Sequence, residues 1–313
     1  MKTHTLMQLY RKVGIICFLA FIYTTSFSQS IDSKNLMRHL VFLSSDELKG
    51  RKTSSEGNLK AIEYIQNEFQ TYGLKTHYKD YLQRFSFRSF GKVYEDAANV
   101  IGFIPGRESD KIIVISAHFD HLGLGQPNSD GDSIYNGADD NASGTAALLA
   151  IAEYFSKNPA QHSLMFAAFD SEELGLRGSK AFLEDFPFEL DQIALNVNMD
   201  MVGRNDSDEI YASGTYQNPQ LKGPLEIASE GSVPELLFGH DQPGMGRDDW
   251  TNSSDHGSFV KKGISHIYFG VEDHEDYHTQ DDEFDGINPK FFVGSANLIL
   301  KCILELDKFL VED

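Results

Sequence analysis

The alternation of apolar and polar positions divides the chain into short strands and longer amphipathic helices. Ile112 to Ile115 is an unbroken β-branched apolar run, too short for a helix and typical of a strand buried on both faces. Comparable runs predict strands over Tyr81–Phe87, Ala98–Phe103, His162–Phe169, Gln192–Met199, Glu209–Ala212 and Ile264–Val271, with Pro105-Gly106 as a turn. Helical spacing predicts a segment capped by Ser33 and running to Leu43. A second spans about Gly57 to Tyr72, with Ile62, Ile65 and Phe69 on one face and Gly73 as its stop. Further helices are read over Thr145–Phe155, Gly178–Asp185, Leu221–Ser229 and Pro289–Leu310. Strands alternating with helices argue an α/β fold, a mainly parallel or mixed sheet between helical layers. Asn205 to Ser258 is the least regular stretch and the expected source of loops over a site.

Charged residues gather where the apolar runs stop. The run ending at Ser116 is followed by His118, Asp120 and His121, and the one ending at Phe169 by Asp170, Glu172 and Glu173. Met199 runs into Asp200, and Val271 is followed by Asp273, His274, Glu275, Asp276 and His278. A Gly-rich loop after the first of these runs carries Asp139-Asp140-Asn141. Open α/β sheets place their chemistry outside the carboxyl ends of the strands. Carboxylates brought together there would repel one another and titrate upward unless cations were bound, which a dinuclear metal centre resolves. Imidazole and carboxylate donors without thiolate suit Zn²⁺ first, with Mn²⁺ or Co²⁺ as substitutes. Two such ions polarise a carbonyl and generate hydroxide near neutral pH, so the implied reaction is metal-assisted hydrolysis. Taken singly, each residue has an ordinary explanation: a solvated histidine, a carboxylate capping the next helix, an exposed glutamate pair.

Composition changes the picture in two ways. The 313 residues, 41% hydrophobic, suffice for a sizeable core. Lys2, Arg11 and Lys12 precede an apolar block over Val13–Tyr23, followed by small and polar residues up to Ser30. That is the layout of a signal peptide over 1–28, cleaved near Ser28, since eleven apolar residues fall short of the roughly 20 a membrane span needs. The mature domain is then 29–313, exported to the periplasm or the medium, with no stable membrane contact. Its formal charge moves from −20 to −23 with the loss of three basic residues, which excludes polyanion binding through bulk electrostatics, nucleic acid included. Cleavage also removes Cys17 and leaves Cys302 in an apolar helical run, without a disulfide partner.

Six motifs then occur in a telling order: His118-Phe119-Asp120-His121, Gly137 through Gly144 (GADDNASG), Asp170 through Gly175 (DSEELG), Asn198 through Gly203 (NMDMVG), Ser254-Asp255-His256 and Tyr277-His278-Thr279. In this order the chain resembles metallopeptidase family twenty-eight, which groups secreted di-zinc aminopeptidases with glutamate carboxypeptidase-like enzymes and, more distantly, glutaminyl cyclases. The stretch Leu43–Leu74, with Ser45 through Arg51 (SDELKGR), is similar to that family's N-terminal helices. The resemblance implies a single domain with a mixed, mainly parallel sheet of roughly eight strands and helices on both faces. It implies two Zn²⁺, one on His118 and Asp200, the other on Glu173 and His278, with Asp139 bridging and a cis peptide after Asp139. Glu172 would be the general base and Asp120 the carboxylate that orients the His118 ring. Asp255, His256, His274, Asp281 and His121 receive no ligand role.

Substrate direction follows from charge. An acidic site suits a free α-ammonium, whereas a C-terminal carboxylate needs a cation. The expectation is a monomeric aminopeptidase acting on peptides with a free N-terminus, with Met201 and Tyr277 facing the substrate. Arg204 and Arg247 are the cations that would favour a carboxypeptidase. A one-zinc glutaminyl cyclase and a binding protein without turnover are two further roles open to a chain of this kind.

Overall fold

The computed structural model of the protein describes residues 30–312, so the leader read at 1–28 lies outside the described residues. Four parallel strands form the centre of the sheet: β3 (Ser109–His118), β6 (His162–Phe169), β7 (Ile193–Met199) and β10 (His266–Gly270). On the β6 side an antiparallel hairpin, β1 (Leu82–Ser89) and β2 (Lys92–Ile104), continues the sheet. On the β10 side β8 (Glu209–Ser213) joins antiparallel and β9 (Glu235–Phe238) parallel to β8. The order is β1-β2-β6-β3-β7-β10-β8-β9, eight strands in one mixed sheet. A separate hairpin, β4 (Gly123–Leu124) with β5 (Ile134–Tyr135), lies in the loop between the first two motifs.

Helices cover both faces. One face carries α1 (Ser33–Leu43), α2 (Glu56–Thr71), α3 (Gly144–Lys157) and α7 (Pro289–Glu312), and the other α4 (Arg177–Glu184) and the short α6 (His256–Val260); α5 (Lys222–Ser229) packs on α7. Period-two alternation decides which strand residue faces which layer. Ile113 and Ile115 of β3 join the core under α1, α2, α3 and α7, while Ile112 and Val114 join Phe182 and Phe259 on the other side. Residues 112–118 of β3 and all of β6 are buried on both faces, and the apolar run Ile112–Ile115 shows it in the sequence.

Local capping agrees with the sequence to within a residue. Asp32, one before the expected Ser33, accepts the Lys34 and Asn35 backbone N–H groups at the start of α1. Ser55 caps α2 through Asn58 N at 3.1 Å. Gly73 ends α2 at φ +72°, a left-handed turn that glycine adopts without penalty. The irregular stretch 205–258 contains β9 and the start of α6, which its mixed polarity concealed. Among the described residues, no helix is long and apolar enough to cross a membrane.

Cys302 is fully buried in α7, and burial pushes its thiol well above the usual range. Iodoacetamide should therefore leave Cys302 unlabelled in the native protein and label it in guanidinium, as read by peptide mass spectrometry. Labelling at the same rate in both would contradict this packing.

Candidate metal centre

The carboxyl ends of β3, β6 and β7 lie side by side, and with the loop after β10 they bring the charged motifs together. A polar ladder fixes the strand ends beneath the site: Ser116 Oγ donates to Asn198 Oδ1 at 2.7 Å, and Asn198 Nδ2 donates to Ser254 Oγ at 2.9 Å. His118 closes β3, held through its carbonyl by Thr145 Oγ1 at 2.6 Å. Its Nε2 stands 3.4 Å from Asp140 Oδ1 and 3.3 Å from Asp200 Oδ1. On the other side of Asp140, His278 Nε2 lies 3.0 Å from Oδ2 and 3.4 Å from Glu173 Oε1. His121 Nδ1 approaches the same two carboxylates, 2.9 Å from Glu173 Oε1 and 3.7 Å from Asp140 Oδ2.

Two donor groups thus share Asp140, one oxygen each. The donor atoms of His118, Asp140 and Asp200 lie within 4.8 Å of one another, and so do those of His121, Asp140 and Glu173. Ligand bonds of about 2.0–2.2 Å to tetrahedral zinc put neighbouring donors about 3.3–3.6 Å apart. The two separations from His118, 3.4 Å to Asp140 and 3.3 Å to Asp200, match that requirement.

The expected bridge, Asp139, is placed elsewhere. Its Oδ1 accepts the Gly203 N–H at 2.7 Å and its Oδ2 lies 3.3 Å from His274 Nε2, outside both donor groups. The reason is local backbone geometry: the turn at 138–143 directs successive side chains apart, so only one of two adjacent aspartates can face the cluster. The cis peptide likewise joins Asp140 to Asn141, one residue later than the resemblance implied. Gly137 enters this turn at φ +54°, and a Cβ there would lie 2.1 Å from Asp140 O and 2.5 Å from the His121 ring.

Two further groups hold the turn from behind. Asp282, fully buried, accepts Asp139 N at 2.9 Å and Asp140 N at 3.0 Å, one on each carboxylate oxygen. Arg51, also fully buried, donates to the carbonyls of Asn136, Gly137, Phe119 and Leu43 at 2.5 to 3.0 Å. Neither stands out in the sequence, where Asp282 is one acid in a cluster and Arg51 one base on a polar stretch.

Glu172 lines the cavity beside the cluster. Burial pushes its carboxyl well up, with Asp255, Glu173 and Asp200 adding to the rise and the His118 ring opposing it. Asp120 accepts the Glu172 backbone N–H at 2.9 Å through Oδ1. Its expected hold on the His118 ring is taken by its own backbone carbonyl, 3.2 Å from Nδ1, while the carboxylate stands 3.8 Å away. Despite its burial, Asp140 is held well below the usual carboxylate range by the His121, His118 and His278 rings. Its hydrogen bonds and those of Glu173 lift His278 to about 10 against the cost of burial. The protein groups alone therefore favour carboxylates facing cationic partners, a charge pattern that a divalent ion satisfies.

The cavity over the cluster measures about 450 Å³. Met201 and Tyr277 line it, as the sequence suggested, joined by Trp250, Tyr268 and Val271 as an apolar wall. Tyr277 stacks on the His278 ring at 3.9 Å. Arg204 does not line the cavity; its guanidinium pairs with Asp276 at 2.5 Å, because the loop after β10 brings that acid beside it. Arg247 does line it, from the irregular segment before α6. His256 is a packing residue, its Nε2 2.8 Å from Trp250 O and its ring stacked on Tyr268. Asp281 is exposed. Asp255 is buried next to the site, and burial raises it to about 6.

Comparison with known proteins adds a family and relatives. The model of Peptidase family M28 matches residues 99–303. Aminopeptidase YwaD of Bacillus subtilis is 28% identical over 224 residues, 68% of this chain and 46% of that protein. The chain spans about half the length of the curated relatives it matches. Among solved structures, the zinc aminopeptidase BSAP of Bacillus subtilis superposes with a TM-score of 0.73 at 17% identity, covering 89% of this chain and 96% of that one. A glutaminyl cyclase of Bacteroides thetaiotaomicron gives 0.70 at 18% identity, covering 88% and 98%. At these identities the two structures establish a shared fold.

The geometry separates the two adjacent aspartates experimentally. Asp140→Asn should reduce bound zinc by at least one ion per chain after dialysis against buffered zinc, measured by plasma mass spectrometry. Asp139→Asn, which keeps an acceptor for Gly203 N–H, should leave it unchanged; the reverse pattern would restore Asp139 as the shared ligand.

Proposed function

The chain belongs to peptidase family M28, and from that premise we propose that it is a di-zinc exopeptidase removing N-terminal residues from peptides. The observation that carries this reading is the pair of donor groups sharing Asp140. His118 and Asp200 would hold one zinc and Glu173 and His278 the other, with Asp140 offering one oxygen to each group and Mn²⁺ or Co²⁺ able to substitute. His121, buried behind Glu173, orients that carboxylate and remains within reach as a further donor. Such a pair of ions supplies Lewis-acid polarisation of the scissile carbonyl and acidification of water.

The remaining steps belong to the chain. Glu172, half-buried at the cavity wall with its pKa raised, accepts the proton of the attacking water and delivers it to the leaving amine. Asp120 keeps the Glu172 backbone in place through the 2.9 Å hydrogen bond. The apolar wall of Met201, Trp250, Tyr268, Val271 and Tyr277 receives the side chain of the N-terminal residue and excludes water from it. Acidic groups outnumber cationic ones around the cavity, where Asp249 and Asp273 join the cluster carboxylates, and this favours a substrate ammonium over a carboxylate. Export and action as a monomer complete the reading.

One observation favours a second reading. Arg247 lines the cavity and forms no ion pair among the described residues, so it is available to a C-terminal carboxylate. A carboxypeptidase is therefore the competing activity to test. The second donor group of His121, Asp140 and Glu173, with His278 alongside it, weighs against a one-zinc cyclase.

The test is hydrolysis of aminoacyl anilides and of N-blocked peptides by wild type and Glu172→Ala. Wild type should cleave the unblocked substrates alone. Glu172→Ala should lose about 10²- to 10⁴-fold in kcat with its metal content retained. Cleavage of blocked peptides from the C-terminus, abolished by Arg247→Ala, would move the assignment to a carboxypeptidase.

A further inference from the structure

Between the α1 helix and α2, outside the residues matched by the family model, the segment around Arg51 and Thr53 passes directly beneath the site. Thr53 is buried, and its hydroxyl sits between two buried carboxylates that end neighbouring strands. Oγ1 lies 3.0 Å from Asp170 Oδ1 after β6 and 3.4 Å from Asp120 Oδ2 after β3, with Ser171 Oγ at 3.2 Å. Asn58 Nδ2 adds a second donor to Asp170 Oδ1 at 3.1 Å and ties back to Arg51 O at 3.2 Å. Asp120 in turn accepts Glu172 N, so the hydroxyl is one hydrogen bond removed from the turn that carries Glu172 and Glu173.

We propose that Thr53 is a positioning residue for the Glu172–Glu173 turn, acting as the hydroxyl that holds the Asp120 and Asp170 carboxylates in register. The physical reason is electrostatic. Two buried carboxylates this close repel each other, and a shared hydroxyl both donates to one and fixes its distance from the other. Without it, one carboxylate must rotate or move away. Because Asp120 anchors the Glu172 backbone, the displacement reaches both the base and the ligand that follows it. Arg51 keeps Thr53 from following, since its guanidinium is fixed to four carbonyls of the surrounding loops.

This inference rests on the proposed metal-binding site, and its test has a readout independent of hydrolysis. Zinc affinity is measured by chelator competition on wild type, Thr53→Val and Thr53→Ser, together with kcat, KM and the melting curve. Thr53→Val should weaken the looser zinc about 10- to 100-fold and lower kcat over the same range, with KM within about threefold of wild type. Thr53→Ser, which keeps the hydroxyl, should restore both. If the valine variant fails to melt cooperatively, Thr53→Ala, which places no methyl against the carboxylates, is read in its place. Zinc affinity and kcat within about twofold of wild type in the variant lacking the hydroxyl would overturn the proposal, as would a serine variant as impaired as the valine one. Should wild type bind zinc yet cleave no aminoacyl substrate, the peptidase reading fails while the zinc arm still decides the role of Thr53. A wild type that binds no zinc removes both.

Discussion

The crowding of buried carboxylates around Asp140 is the constraint on which the rest of this structure depends. Asp120, Asp140, Asp170 and Asp200 are all buried at the ends of β3, β6, β7 and the adjoining turn, with Glu172 and Glu173 beside them. Isolated buried carboxylates are costly, and several within contact of one another are more so unless cations or donors face them. The protein supplies donors to some of them from its backbone and from Thr53 and Asn58. The others, Asp140, Asp200 and Glu173, face imidazoles and the cavity, with the Ser254 hydroxyl also beside Asp200. The division is informative: Asp120 and Asp170 are met by backbone and side-chain donors, whereas Asp140, Asp200 and Glu173 are the acids that imidazoles face.

The fold supports this division by its topology. Parallel strands bring three carboxyl ends into one row, and the antiparallel additions at either edge widen the sheet without entering the site. The turn carrying Asp140 would be poorly determined by its own sequence. It is fixed instead from three directions: by Asp282 on its N–H groups, by Arg51 on the carbonyls before it, and by Asn141, whose amide bonds Met199 O at 2.9 Å. Buried polar networks of this kind hold a geometry only when their members are satisfied together.

Much of this was legible in the chain itself. The apolar runs located the central strands because a strand buried on both faces has no polar positions to obscure it. His118, Glu172, Glu173, Asp200 and His278 were legible as a set because each follows such a run or the motif order. The choice between Asp139 and Asp140 was not, since two adjacent aspartates differ only in backbone orientation, which spacing does not encode. The role of Asp120 changed for a similar reason, its backbone rather than its carboxylate meeting the His118 ring. Arg51, Thr53 and Asp282 were missed because their partners at the site lie 67 to 143 residues away in sequence, Leu43 alone among the partners of the Arg51 guanidinium being near it. Trp250 was missed because it stands in an irregular segment whose path over the cavity only the folded chain reveals, and for the same reason the sequence could not separate Arg247, which lines the cavity, from Arg204, which does not.

In the proposed site, two ions would share the carboxylate of Asp140. Anomalous diffraction at the zinc edge from zinc-loaded crystals addresses it directly. Two peaks about 3.5–4 Å apart with the Asp140 carboxylate between them are predicted. A single peak, or a pair joined through Asp139 with Asp140 turned away, would contradict the account.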